Sequence, residues 1–142
     1  MHLLIVEDDR TSREFLSAWC ASYGRVDTAA DGVEGAMAHQ AALMSGDPYT
    51  MIFLDIMMPL LDGYGCLERL RGTEQRLKAP REHCAIVVMT TAMDEPKNVF
   101  NAFRLQADAY LIKPLDRTKF ERVIAEHGPD APPPPELLPK RI

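Results

Sequence analysis

The 142-residue chain is short of several things, and each shortage removes a class of function. It has three cysteines, Cys20, Cys66 and Cys84. The number is odd and the spacing fits no metal motif, so they read as small buried hydrophobes in a reducing cytoplasm rather than a disulfide framework. The four histidines, His2, His39, His83 and His127, are scattered, and none stands at ligand spacing from another, which argues against zinc. No basic cluster offsets the net charge of -5, which speaks against nucleic-acid binding by this chain. No apolar run approaches the roughly 18 residues of a membrane span. Met1 to Val6 carries no basic leader and too short an apolar segment for a signal peptide, so a cytoplasmic location is expected.

What is present is a normal globular balance, 46% hydrophobic and 26% charged, in a length suited to one domain. The organising stretch is Met51-Ile52-Phe53-Leu54-Asp55, an apolar run closed by one aspartate, with Pro59 following. Such a run suits a strand buried on both faces of a parallel sheet. Similar short runs occur at Leu3–Val6, Ala85–Thr90 and Ala109–Ile112, with a weaker one at Arg25–Ala29. Helical spacing of apolar residues appears over Thr11–Ser22, where Phe15, Leu16, Trp19 and Cys20 form the inward stripe and Gly24 is the expected stop. Further helices are expected over Val33–Met44, Tyr64–Arg71, from near Pro96 with Val99, Phe100, Phe103 and Leu105 inward, and over Thr118–His127. Residues 72–83, polar and holding Gly72 and Pro80, read as a loop.

Five strands alternating with five helices predict a single doubly wound α/β domain, residues 1–127, with a parallel sheet. Residues 128–142 hold six of the eleven prolines, including Pro132 to Pro135, and read as a proline-rich flexible tail or linker.

A parallel sheet delivers every strand's last residue to one rim, where open α/β sheets place their ligands. Glu7 and Asp8, Asp55, Thr90 and Thr91, and Lys113 would meet there. Singly, each has a plain structural role: an acid capping a helix, a threonine doing the same, a lysine at a solvated strand end. Together they make a site. Clustered carboxylates raise one another's pKa, and a hard divalent cation such as Mg2+ relieves the repulsion. An aspartate can attack phosphorus to give an acyl phosphate, with Lys113 holding a phosphoryl oxygen and Thr91 donating to another.

Four motifs in order, Val6-Glu7-Asp8-Asp9, Leu54-Asp55-Ile56-Met57-Met58-Pro59 with Asp62-Gly63, Met89-Thr90-Thr91-Ala92 and Tyr110-Leu111-Ile112-Lys113-Pro114, resemble the receiver domain of two-component response regulators. The resemblance covers residues 1 to about 127. It implies a flavodoxin-like sheet of order 2-1-3-4-5 and a phosphorelay switch rather than an enzyme. It implies Asp55 as phosphoacceptor, Mg2+ on Glu7, Asp8, Asp55 and the Met57 backbone carbonyl, and a phosphate cradle of Thr91, Ala92 and Lys113. It further implies a switch pair, Thr91 and Tyr110, and a cis bond before Pro114. Gln106-Ala107-Asp108 departs from the Gly-Ala often found there.

Implied partners are a sensor histidine kinase or phosphotransfer protein and a downstream effector, with no nucleic acid and no membrane. Monomer and phosphorylation-linked dimer both stay open, as do the kinase, the output and whether the chain is part of a longer protein. Two other classes fit the residues less well. A haloacid dehalogenase-type phosphatase would need an acid two residues beyond Asp55, where Met57 stands. A degenerate docking module would have lost an acid-pair residue, Asp55 or Lys113, and all are present. Met57 and Met93 cannot activate water, so slow self-hydrolysis of the phosphoryl group is expected.

Overall fold

The computed structural model describes residues 1–92 and 107–131. Five strands form one parallel sheet: β1 His2–Val6, β2 Arg25–Ala29, β3 Met51–Asp55, β4 Ile86–Thr91 and β5 Ala109–Ile112. Their order is β2-β1-β3-β4-β5, the flavodoxin-like arrangement expected. Four α-helices lie among the described residues: α1 Arg10–Cys20, α2 Gly32–Met44, α3 Gly63–Arg76 and α4 Arg117–His127. The helix expected to begin near Pro96 falls outside the described residues, as does the Pro132–Pro135 run.

The alternating directions of strand side chains divide the core in two. Leu4, Val6, Ile52, Leu54, Val87 and Met89 pack with Cys66, Leu67 and Leu70 of α3 on one face. Leu3, Ile5, Met51, Phe53, Val88 and Leu111 pack with Leu16 and Cys20 of α1 and Phe120, Val123 and Ile124 of α4 on the other. Both faces of β1 and β3 are therefore covered, and all five residues of each are buried. That is why these strands read as unbroken apolar runs rather than as alternating ones.

Each of the four described α-helices starts on an aspartate that takes an otherwise unpaired backbone N–H. Asp9 accepts from Ser12 at 2.9 Å. Asp31, Asp62 and Asp116 accept from Glu34, Gly65 and Lys119, each at 2.8 Å. These caps fix where the chain turns from strand end into helix, which is the rim where ligands are expected.

Several local expectations are corrected. Residues 72–83 are not a continuous loop: α3 runs on to Arg76, and Arg81–His83 form a 3-10 turn. Gly72 faces open space, so the helix passes through it at modest cost. Thr73 and Glu74 beyond it are buried, and Glu74 is held by His39 (3.0 Å) and the Ala85 N–H (2.8 Å). Tertiary partners thus outweigh the breaker. Phe15, read as inward, is 52% exposed and stacks on Trp19, which is half-buried against Phe120. Cys84 is half-exposed, unlike Cys20 and Cys66. Gly24 does not stop α1, which is capped at Ala21; a side chain there would collide with the Met1 backbone.

Gly63 matters most to the rim. A Cβ on it would overlap the Asp55 carbonyl oxygen and the Ile56 Cα. Gly63→Ala is expected to lower stability by roughly 1–3 kcal/mol through this overlap. Gly72→Ala, in an open helical position, is expected to raise it by about 0.5–1 kcal/mol. Urea unfolding midpoints of the two variants check the opposite signs.

Candidate functional site

The pleat decides which rim residues can meet. Ile5, Phe53, Val88 and Leu111 all face the α1–α4 side. Two residues further along their strands come Glu7, Asp55, Thr90 and Lys113, which the same alternation places on that side. The structure brings three of them into one ion cluster. Lys113 Nζ lies 3.1 Å from Glu7 Oε1 and 3.5 Å from Asp55 Oδ1. Glu7 and Asp55 are 1% and 3% exposed.

The local chain fixes each member. Arg13 donates to the Glu7 carbonyl at 2.8 Å, and the Asp9 N–H donates to Glu7 Oε2 at 3.2 Å, so the β1–α1 turn is held from both sides. The Met57 N–H donates to Asp55 Oδ1 at 3.4 Å. The Ile56 N–H donates to the Thr90 carbonyl at 3.0 Å, carrying β3 one residue past Asp55 before the chain turns. The Lys113–Pro114 bond is cis, as the resemblance implied.

The electrostatics follow from burial. Two carboxylates share one ammonium in a nearly dry place, and Asp8 stands exposed beside them. Burial pushes the Asp55 carboxyl up to about 8, helped by a hydrogen bond and charge repulsion from Glu7; Lys113 and the Met57 N–H offset only part of this. Burial alone would lower Lys113, but the facing Asp55 and Glu7 outweigh it and hold the ammonium above its ordinary value.

The arrangement fits a hard cation. One carboxylate oxygen from each of Glu7, Asp8 and Asp55 lies within 4.8 Å of the others. Glu7 Oε1 is buried, and the Lys113 ammonium 3.1 Å away is its ion-pair partner. A few carboxylate oxygens gathered at one rim, open to water on the Asp8 side, form the donor set that suits Mg2+.

The remaining expected residues are placed less directly. Thr91 is the last residue of β4 and is buried, and Ala92 is exposed just beyond it. The pleat turns Thr91 toward the α2–α3 side, which half-buried Tyr110 also faces. The two strands pair Met89 with Tyr110 and Thr91 with Ile112, so Thr91 and Tyr110 are diagonal neighbours. Met57 is largely exposed, and Met93 lies outside the described residues. Thr90, placed at the rim from the sequence but given no role there, is level with Asp55 in register. Counting the pleat from Asp55 across to β4 separates its side of the sheet from that of Thr91. Asp108, where the family pattern departs, donates its N–H to the Val87 carbonyl (2.9 Å) and accepts from the Val87 N–H (2.8 Å). It also pairs with Arg71 at 3.0 Å, so that turn is closed by charge.

A raised carboxyl binds a proton in the folded state that the unfolded chain has already released near its ordinary value of about 4. Its contribution is therefore greatest at low pH and is lost as pH rises toward 8. In the absence of divalent cation, stability is expected to fall by on the order of 2 kcal/mol between about pH 5 and pH 8. Asp55→Asn is expected to flatten that slope and to exceed the wild type at pH 8. Urea unfolding at several pH values checks this, and a less stable Asn variant at pH 8 would contradict it.

Comparison with known proteins agrees with this geometry. The sequence matches the family described as the response regulator receiver domain over residues 3–125. It is 36% identical over 117 residues to the transcriptional activator protein IrlR of Burkholderia pseudomallei, covering 82% of this chain and 45% of that protein. It is 30% identical over 128 residues to hybrid signal transduction histidine kinase L of Dictyostelium discoideum, covering 89% of this chain and 7% of the kinase. The chain thus spans less than half the length of these relatives. Among solved structures, the CheX–CheY complex with BeF3 and Mg2+ from Borrelia burgdorferi is similar at a TM-score of 0.72 and 29% identity, covering 87% of each chain. The receiver domain of Ssk1, bound to Ypd1 from Saccharomyces cerevisiae, matches in fold at a TM-score of 0.77 and 22% identity, covering 90% of this chain and 88% of that one. With the fold, the rim acids and the matched span in agreement, this chain belongs to the response regulator receiver domain family of two-component signalling.

Proposed function

We propose that the domain is a phosphorylation-dependent switch whose Asp55 takes a phosphoryl group from the phosphohistidine of a sensor histidine kinase or phosphotransfer protein. The observation that carries this is the buried pair Glu7 and Asp55 bridged by Lys113 at 3.1 and 3.5 Å, with Asp8 alongside. Glu7, Asp8, Asp55 and the Met57 carbonyl would hold Mg2+, which when bound neutralises charge on the transferred group. An ionised Asp55 oxygen attacks phosphorus as the P–N bond to the donor imidazole breaks. Lys113 holds one phosphoryl oxygen as a point charge. The Thr91 hydroxyl and the Ala92 N–H donate to others. The likeness to a CheY bound with BeF3 and Mg2+ supports this chemistry.

The output follows from the switch pair. Thr91 turning toward the phosphoryl group vacates space beside Tyr110, its diagonal neighbour on the α2–α3 side. Tyr110 then turns inward and alters the surface of β5 and α4 that an effector protein or a second copy would read. The domain performs no turnover of its own. The pathway and the full-length protein's activity are set by what accompanies it.

Incubation with Mg2+ and a small acyl phosphate is expected to label the protein one-to-one. Asp55→Asn should abolish the label, and Lys113→Ala should greatly reduce it. Steady phosphate release would favour a phosphatase, and no labelling a docking module. Phosphoryl decay is expected to be slow and to quicken in the Met57→Asn, Met93→Glu double variant, because amide and carboxylate can orient water where thioethers cannot. Unchanged decay would refute the assignment of slow hydrolysis to these two positions.

A further inference from the structure

Thr90 presents an anomaly the proposed switch does not use. Its Oγ1 is buried, the residue is 1% exposed, and the hydroxyl has no hydrogen-bond partner. A buried unsatisfied hydroxyl is costly, and valine would fill the same space without the penalty. The place is specific. Thr90 pairs in register with Asp55 and shares its side of the sheet, whereas Thr91 faces the other.

Topology adds the second observation. β4 lies between β3 and β5. For Lys113 Nζ to reach Asp55 and Glu7 from the end of β5, its side chain must cross the end of β4. It does so on the side that carries Thr90. An ammonium has three N–H donors, and in the free protein two carboxylate oxygens face this one.

We infer that Thr90 is a positioning residue for Lys113, its hydroxyl accepting an ammonium N–H once Asp55 carries a phosphoryl group. This rests on Asp55 being the phosphoacceptor. Phosphorylation turns the attacking Asp55 oxygen into a bridging oxygen, a poorer acceptor, and places new anionic oxygens further out. The ammonium must shift toward them, away from Glu7, and the Thr90 hydroxyl is the acceptor on that path. The hydroxyl unpaired in the resting protein is paired in the phosphorylated one, so its cost in the first state favours the second.

The test uses Thr90→Val and Thr90→Ser in this chain, with Mg2+ and beryllofluoride as the probe of the phosphorylated form. Calorimetry is expected to show roughly ten- to hundredfold weaker beryllofluoride binding for the Val variant, the worth of one charge-assisted hydrogen bond. The Ser variant should stay within about twofold of wild type, by keeping the hydroxyl. Thermal unfolding of the free Val variant should be no lower than wild type, which a merely structural threonine would not give. The Lys113 ammonium 15N resonance should respond to beryllofluoride differently in the Val variant than in wild type and Ser. Equal binding by wild type and Val, equal losses in Val and Ser, or a destabilised free Val variant would each overturn the inference. Should the wild type itself fail to bind beryllofluoride with Mg2+ while remaining folded, the phosphoacceptor reading falls, and this inference with it.

Discussion

The constraint beneath the rest of the structure is the repulsion between two carboxylates, Glu7 and Asp55, buried side by side with a single lysine between them. Neither acid can escape to water, and Lys113 can neutralise only one of them. The cluster is therefore one positive charge short, a deficit that the exposed Asp8 deepens. In the free protein burial and the facing Glu7 favour a proton on Asp55 and push its carboxyl up to about 8. A divalent cation held by Glu7, Asp8 and Asp55 would meet the shortfall better, and under the proposed function it would leave Asp55 ionised. The arrangement thus costs stability in one state and supplies reactivity in another.

Holding such a cluster requires a stiff frame, and the sheet supplies it. β1 and β3 are covered on both faces, so their last residues have little freedom. The turns beyond them are pinned: Arg13 on the Glu7 carbonyl, Asp9 as the cap of α1, Gly63 against the end of β3. At the opposite end of the sheet a second polar network ties the helices down. Glu74 is shared by His39 of α2, Arg71 of α3 and the Ala85 N–H before β4, and Arg71 extends to Asp108 before β5. These contacts hold Glu74 below its ordinary carboxyl value despite its burial, which alone would raise it. Here both carboxylates, Glu74 and Asp108, face the Arg71 guanidinium and accept from a backbone N–H, while the buried His39 Nδ1 has no hydrogen-bond partner. At the other end two buried carboxylates share one ammonium and Asp55 is pushed well above its ordinary value, the kind of perturbation that clusters at functional sites.

Much of this was legible in the residues. The buried strands were evident because two-faced burial leaves a continuous apolar run, as at Met51–Leu54. The helix starts were read one residue late, at Thr11, Val33, Tyr64 and Thr118, because apolar spacing marks a helix face and not the aspartate that caps it. The Asp55 rim could be assembled because a parallel sheet brings strand ends together, whatever the details of packing. The end of α3 was not legible. Gly72 looks like a stop unless one knows that it faces open space and that Glu74 beyond it has partners on α2 and before β4. Phe15 looks inward by spacing, yet Trp19 covers less of it than the stripe suggested. Thr90 was placed at the rim without a role of its own, because two adjacent threonines are alike in sequence and opposite in orientation.

The sequence by itself determined the strand and helix order, the caps and the set of charged groups destined for one rim, because these depend on local pattern and on connection rules. Tertiary structure alone decided which of those groups meet. The pleat chose Thr90 over Thr91 for the side that Asp55 occupies. The position of β4 between β3 and β5 set the span that Lys113 must cross. The covering of β1 and β3 by helices on both faces is what removes water from Glu7 and Asp55, and without that removal their charges would barely interact.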